Sequence, residues 1–137
     1  MQVSARPKPC SLDAEQAVLG SALMSATALE AMLALLGRED FYHKPHAELY
    51  DVCEYLHGRH QPVDTVTVIE ELRSRGQLER VGGAEYVVNL PETVPTAAHV
   101  EHYARIVEEK SVFRQLIDAG NELVALGYGN GEERDLD

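Results

Sequence analysis

The feature that most constrains the fold of this chain of 137 residues is one long helical pattern near its end. Between Thr96 and Tyr128 the apolar residues recur at helical spacing: Val100, Tyr103, Val107, Leu116, Ile117, Leu123 and Val124. At ~1.5 Å per residue, a helix of about thirty residues is about 45 Å long, whereas a domain of this size has a radius of gyration near ~14 Å. We therefore expect the helix to project and to meet a partner, unless it breaks at Gly120 and folds back.

Shorter helices are predicted ahead of it. Ser11 is placed as the N-cap of the first, which ends near Ser25. A T-x-x-E capping box, Thr27 to Glu30, predicts the start of the second helix, and Gly37 is expected to end it in the left-handed conformation. The loop 38–44 holds Phe41 and Tyr42, so we expect it to insert into the core.

Pro45 fits the first turn of a third helix, whose apolar stripe ends before Gly58 and consists of Leu49, Val52, Cys53 and Leu56. Asp64 predicts an N-cap for a fourth helix that runs through Leu72 and stops at Gly76. The β-branched run 65–69 alternates like a strand, but the cap before it and the charged residues after it favour a helix.

The Gly82-Gly83 pair predicts a turn into a short fifth helix, 84–90, ahead of the long one. The chain is thus predicted to be all-α, with about six helices in a compact head and a long C-terminal helix. We expect residues 1–10 to be a flexible segment, residues 11–128 to be one domain, and residues 129–137 to begin a linker.

The formal net charge of −11 argues against binding to duplex nucleic acid or to an anionic membrane surface. The acidic residues are unevenly distributed along the chain. Residues 61–137 hold 15 acidic side chains and 7 basic ones. We expect this half to attract a basic partner surface, with an interaction that weakens in salt.

The two cysteines form no C-x-x-C motif and the chain has no signal peptide or membrane-spanning run. Both thiols are therefore expected to be reduced, in a cytoplasmic protein, with Cys53 in the core.

No catalytic or phosphate-binding motif is present. The six histidines form three pairs at i, i+3, namely His43/His46, His57/His60 and His99/His102, with Cys53 nearby. Such spacing can hold zinc, but two of the six lie on predicted loops, so we expect no metal, cofactor or catalytic residue. His46 is expected to be a core histidine bonded to the backbone.

Six short runs carry a resemblance to a known family. They occur in this order: Asp13–Gly20, Glu39–Tyr42 with His46, Pro62–Val68, Val81–Tyr86, Val94–Ala98 and Tyr103–Val107. In this order and spacing they resemble the N-terminal domain of bacterial DnaB-type replicative DNA helicases, over about residues 11–128. His99 departs from the family pattern, which usually has Asn there, and this leaves the hydrogen bonding of that helix cap open.

The resemblance implies a helical head carrying the first arm of a helical hairpin. Such hairpins pair, three pairs form the collar of a hexameric ring, and the collar docks the C-terminal domain of the primase. It also implies a separate RecA-like ATPase domain, so this domain is expected to serve oligomerisation and the primosome in DNA replication rather than catalysis.

Tyr86, Ile117 and Leu123 are the candidate partner-interface residues, whereas Tyr103 is expected to pack under the head. Two alternatives remain: a free-standing helical adaptor and a His-based metal-binding enzyme.

Overall fold

A computed structural model describes residues 6–129, and these residues form α-helices and short 3-10 turns with no β-strand among them. The helices are α1 (Leu12–Met24), α2 (Ala26–Leu35), α3 (Lys44–Gly58), α4 (Thr65–Ser74), α5 (Gly83–Asn89) and α6 (Val100–Gly127). The predicted all-α fold with six helices and a long C-terminal helix is confirmed. Within the described part of the chain, no helix combines the length and the apolar character needed to cross a membrane.

The start of each of the first two helices is set by a serine. The Ser11 hydroxyl accepts a hydrogen bond from the amide of Ala14, as predicted. The Ser25 hydroxyl accepts one from the amide of Ala28 and caps α2. The predicted capping box beginning at Thr27 is therefore wrong, because Ser25 satisfies the first free amides two residues earlier. Ser25 is thus both the end of α1 and the cap of α2.

The end of α2 also differs from the prediction. Leu36 follows the helix in an extended conformation, and Gly37 has a φ of −118°, outside the left-handed region. The amide of Gly37 donates to the carboxylate of Asp40 at 2.8 Å. A side-chain acceptor thus replaces the left-handed turn, and the expectation of a left-handed Gly37 is wrong.

The fourth helix is confirmed against the strand alternative. Asp64 accepts a hydrogen bond from the amide of Thr67 at 2.9 Å, and the Thr67 hydroxyl lies 3.0 Å from the amide of Asp64. This reciprocal cap fixes the first turn of α4 despite its β-branched residues. Gly76, with a φ of +70°, follows the end of the helix, where glycine adopts the left-handed conformation at little cost.

Helix α1 lies at the centre of the head, packed against α2, α3, α6 and the turn Leu90–Thr93. The predicted stripe of α3 is buried, including Cys53. Phe41 is buried but Tyr42 is 47% exposed, so the loop before α3 inserts only one of its two aromatic rings. Tyr103 packs against the edge of the core, as predicted.

Helix α6 is unbroken through Gly120, and its 28 residues give a length of about 42 Å. His99 occupies the N-cap position of α6 but its side chain makes no capping hydrogen bond, whereas the Thr96 hydroxyl accepts from the amide of Ala98 at the preceding 3-10 turn. The buried residues of α6 are Val100, Ala104, Val107, Ser111 and Arg114, and no residue of the helix after Arg114 is buried. The last three to four turns of the helix therefore project from the head.

Candidate interaction surface

The projecting part of α6 carries an exposed apolar surface, which we call the outer face. It consists of Val112, Phe113, Leu116, Gly120, Leu123 and Val124. Leu116 is 63% exposed and Leu123 is 69% exposed, although both are leucines that would ordinarily be buried. At about 100° per residue these positions lie on one side of the helix, roughly opposite the side that contacts the head. Exposed apolar surfaces of this kind are typical of interaction sites.

The polarity of α6 changes along its length. Arg105 and Glu109 lie on the same side as the outer face one to two turns earlier, and both are exposed. From Val112 onward this side carries no charge. The helix therefore buries one face against the head in its first half and exposes an apolar face on the opposite side in its second half.

Polar contacts hold the point where α6 leaves the head. Val107 is the last apolar residue of the helix that is fully buried. Two turns further on, the Arg114 guanidinium donates to the carbonyls of Pro9 and Asp40, each at 2.8 Å, and lies over the ring of Tyr42. The hydroxyl of Ser111 donates to the carboxylate of Asp40 at 2.8 Å. We call Asp40, Ser111 and Arg114 the clamp, because together they fix the base of the projecting arm to the head.

The residues before α1 take part in the same region. Lys8 forms an ion pair with Asp118 at 3.1 Å, one turn beyond Arg114, between two largely exposed side chains. Together with the contact at Pro9, this places the described end of the segment 1–10 alongside α6. Residues 1–5 of that segment, and residues 130–137 of the expected linker, lie outside the described residues.

The three predicted interface residues fall in different places. Leu123 lies on the outer face, and Ile117 is half-buried at its edge. Tyr86 lies on the head, where its hydroxyl is bonded inside a polar cluster. The structure does not bring the three together, and their role in partner contact stays a prediction.

Val112, Phe113 and Gly120 belong to the outer face but not to the apolar pattern that predicts the long helix. That pattern treats the whole of α6 as having one apolar side. The side that is charged up to Glu109 becomes apolar from Val112, so analysing the two halves of the helix separately would have found these residues.

A chain of buried side chains connects α1, α3 and α5. The Glu15 carboxylate lies 2.7 Å from Nδ1 of His46, and Nε2 of His46 lies 2.6 Å from the hydroxyl of Tyr86. Gln16 donates to that hydroxyl at 3.1 Å. Nδ1 of His46 is placed to donate to the Glu15 carboxylate, and the Tyr86 hydroxyl is within hydrogen-bond distance of Nε2.

The carboxylate of Glu15 is satisfied on every side. It also accepts the amide of Tyr42 at 2.7 Å and the amide of His43 at 3.3 Å. His46 is a core histidine, as predicted, but its partners are the side chains of Glu15 and Tyr86, so the expected backbone bond is wrong. Burial raises the pKa of the Tyr86 hydroxyl, which the hydrogen bond from Gln16 partly offsets, and the Glu15 charge adds to the rise.

The described residues contain no group of three His, Cys, Asp or Glu side chains that could hold a metal ion. Of the histidine pairs, His43 and His46 have their rings 4.7 Å apart edge to face. Burial raises the pKa of the Cys53 thiol to about 12, so this cysteine is an unreactive core residue, as expected.

The chain is similar to known proteins over most of its length. A family model described as the DnaB-like helicase N terminal domain matches residues 7–109. The replicative DNA helicase DnaB of Mycobacterium leprae is 46% identical over 131 residues, which is 96% of this chain and 22% of that protein. The replicative DNA helicase DnaB of Geobacillus stearothermophilus is 44% identical over 133 residues, which is 97% of this chain and 29% of that protein.

A solved structure agrees with the fold. The crystal structure of the N-terminal domain of DnaB helicase from Mycobacterium tuberculosis superposes with a TM-score of 0.88 and 45% sequence identity, covering 93% of each chain. The chain therefore spans less than a third of the curated relatives named above but nearly all of this separately solved domain.

Proposed function

The chain belongs to the family of DnaB-like helicase N-terminal domains, and from this premise we propose that it is a non-catalytic assembly domain of a replicative DNA helicase. In this proposal the domain associates with other copies of itself, supports the collar of a hexameric ring and docks the C-terminal domain of the primase. It binds no nucleic acid itself and needs no cofactor. ATP hydrolysis and unwinding belong to other parts of the helicase, and the complete protein works in the cytoplasm.

The observation that carries the proposal is the outer face of α6. Its exposed apolar side chains stand on an arm that the clamp holds at a fixed position on the head. Burying such side chains against a partner is favourable by roughly 25 cal/mol per Å² of apolar area removed from water. A rigid arm that presents this area gives up little conformational freedom on binding.

Charge supports a basic partner for the same arm. Besides its apolar residues, the projecting part of α6 carries the acidic side chains Glu122 and Asp118, of which Asp118 pairs with Lys8, and no basic residue after Arg114. A basic partner surface would be steered toward it at low salt. The proposed docking of the primase rests on this charge.

Self-association is tested by sedimentation equilibrium of the chain and of Leu123→Asp. We expect the variant to shift toward monomer, because a carboxylate would have to be buried in the contact. Val66→Asp is the matched control, since Val66 is an equally exposed apolar residue on the head. Ile117→Asp tests the edge of the face in the same way. Unchanged association of the folded Leu123→Asp chain would overturn the proposed role of this surface.

Primase docking is tested by titrating the chain with the C-terminal domain of the primase at two salt concentrations. We expect saturable binding that weakens as salt is raised. Tyr86→Phe removes the hydroxyl that is bonded to His46 and Gln16 but keeps the ring and α6, so weaker binding would show that this hydroxyl contributes to the contact. An absence of binding at low salt would remove primase docking from the proposal and leave the family assignment unaffected.

A further inference from the structure

The head carries an exposed aromatic ring in contact with two guanidinium groups, at the ends of α3 and α4. We call Tyr55, Arg59 and Arg75 the Tyr55 site. Tyr55 is exposed on the last turn of α3. The guanidinium carbon of Arg75 lies 4.9 Å from the centre of its ring, and that of Arg59 lies 5.4 Å from it. Both are cation–π distances. The Tyr55 site is separate from the outer face, because α6 packs against α1 and α2.

The two arginines of the Tyr55 site differ in their other contacts. Nε of Arg75 lies 2.8 Å from the carboxylate of Glu71, so its charge is balanced within the head. The guanidinium of Arg59 has no carboxylate or carbonyl partner within residues 6–129. The other arginines from residue 38 to residue 114 all have such a partner; they are Arg38, Arg73, Arg75, Arg80, Arg105 and Arg114. The N–H donors of Arg59 are therefore unused in the described part of the chain.

The end of α3 does not need the side chain of Arg59. The last carbonyls of a helix require hydrogen-bond donors, which a nearby arginine can supply. Here the backbone amides of residues 59–61 supply them, because they donate to the carbonyls of Tyr55, Leu56 and His57. The guanidinium of Arg59 thus lies beside the ring of Tyr55 with its donors available to a group from outside the head.

A guanidinium next to an aromatic ring is suited to binding a carboxylate. Its planar fork can donate two parallel N–H bonds to the two oxygens of one carboxylate. The ring of Tyr55 and the aliphatic stem of Arg59 offer apolar area beside that charge, and tyrosine and arginine are enriched among the residues that dominate binding energy at protein interfaces. A fitting ligand therefore carries a carboxylate next to an apolar side chain.

The charges around the Tyr55 site favour a short acidic segment over a nucleic acid. Glu54, next to Tyr55 in sequence, and Glu70 on α4 are both exposed, and Glu71 pairs with Arg75. A nucleic acid backbone would bring a row of phosphates past these carboxylates, and the net charge of −11 would repel it. A segment with one or two acidic residues needs only the guanidinium of Arg59.

We propose that the Tyr55 site binds a short acidic segment of a partner protein. A carboxylate of that segment pairs with the guanidinium of Arg59, and an apolar neighbour packs on the ring of Tyr55. Arg75, held by Glu71, is a positioning residue for the ring. This contact adds a second binding surface to the head and depends neither on self-association nor on primase docking through α6.

The probe is the peptide acetyl-Leu-Asp-Glu-Leu-amide, added in excess to the isotope-labelled chain and followed by NMR. The signal of the Arg59 Nε–H group should move saturably, whereas the uncharged peptide acetyl-Leu-Asn-Gln-Leu-amide should leave it in place. Arg59→Gln should weaken binding of the acidic peptide by about tenfold, as for the loss of hydrogen bonds to a charged group. Arg73→Gln is the matched control, because Arg73 is also exposed but already pairs with Glu70 at 3.0 Å.

Three results would overturn the proposal, provided that circular dichroism shows the variants to be folded. The first is an Arg59 signal that the acidic peptide does not move, and the second is an equal loss of binding in Arg59→Gln and Arg73→Gln. The third is an oligothymidylate that moves the Arg59 signal at lower concentration than the peptide, which would make the site one for nucleic acid. Leu123→Asp should bind the peptide as the unsubstituted chain does, so failure of the proposed function would not be mistaken for failure of this site.

Discussion

Nδ1 of His46 lies 2.7 Å from a carboxylate oxygen of Glu15, with both side chains buried at 0% and 1% exposure. Glu15 belongs to the first turn of α1 and His46 to the first turn of α3. The contact therefore connects two helices whose pairing involves residues far apart in sequence. Because Tyr86 continues the chain of hydrogen bonds, α5 is held to the same point.

Glu15→Gln should destabilise the domain by about 3 kcal/mol, in the range found when one partner of a buried charged cluster is removed. The new amide would point its own donors at the backbone amides and the imidazole that now donate to the carboxylate. Urea unfolding followed by circular dichroism measures the loss. Tyr86→Phe, which removes a single hydrogen bond, should cost only about 1 kcal/mol. Equal losses for the two variants would show that Glu15 is not the centre of the cluster.

The clamp residues are expected to hold the projecting arm of α6 in place. Arg114→Ala removes two hydrogen bonds to backbone carbonyls and should cost about 1–3 kcal/mol, as for bonds from charged donors. Amide hydrogen exchange should accelerate in the second half of α6 and on the loop of Asp40, while α1 and α3 stay protected. Arg114→Lys should rescue little, since one ammonium group does not reproduce the planar fork of a guanidinium.

Arg105→Ala is the control for the clamp. Arg105 is exposed and pairs with Glu101 on its own helix at 3.9 Å, and such surface pairs contribute less than about 1 kcal/mol. If the two arginine variants had the same effect on exchange in the arm, the clamp would be no more than a surface contact.

The thiols should differ in reactivity. Cys53 is 1% exposed, and burial raises its pKa to about 12, so almost no thiolate forms at pH 8. Cys10 is partly exposed, ahead of α1. Titration of the native chain with a thiol reagent should therefore give one equivalent, and titration in denaturant should give two. A second fast equivalent in the native chain would contradict the placement of Cys53.

Predictions from the sequence succeeded where the determining residues are close together in the chain. The Ser11 cap, the Asp64 cap and the stripe of α3 each depend on residues within two turns, and all three are confirmed. The predicted start of α2 was wrong because Ser25 and Thr27, two residues apart, are both residue types that favour the N-cap position. Which of the two caps α2 depends on the connection from α1, which is only one residue long.

The candidate surface was less predictable, because it depends on which side of α6 the head covers. The apolar residues of the two halves belong to different faces, and one pattern along the whole helix merges them. The partners of His46 are likewise set by tertiary packing, since Glu15 and Tyr86 are distant from it in sequence. Local sequence patterns can predict that such a residue is buried, but they do not predict which residues it contacts.

Gly20 should be intolerant of substitution, because it packs directly against the backbone of another element. It lies buried in α1, and a Cβ there would meet the backbone carbonyl of Leu90, with the carbonyl carbon only 2.9 Å away. That carbonyl is also held by the hydroxyl of Thr93 at 2.7 Å, so it cannot move aside without breaking a hydrogen bond. Gly20→Ala should therefore cost about 2 kcal/mol, as overpacking of a core does. Gly58→Ala, with open space around the new methyl group, should be neutral or slightly stabilising in the same urea unfolding experiment. If Gly20→Ala matched Gly58→Ala in stability, the close packing of α1 on the turn Leu90–Thr93 would be wrong.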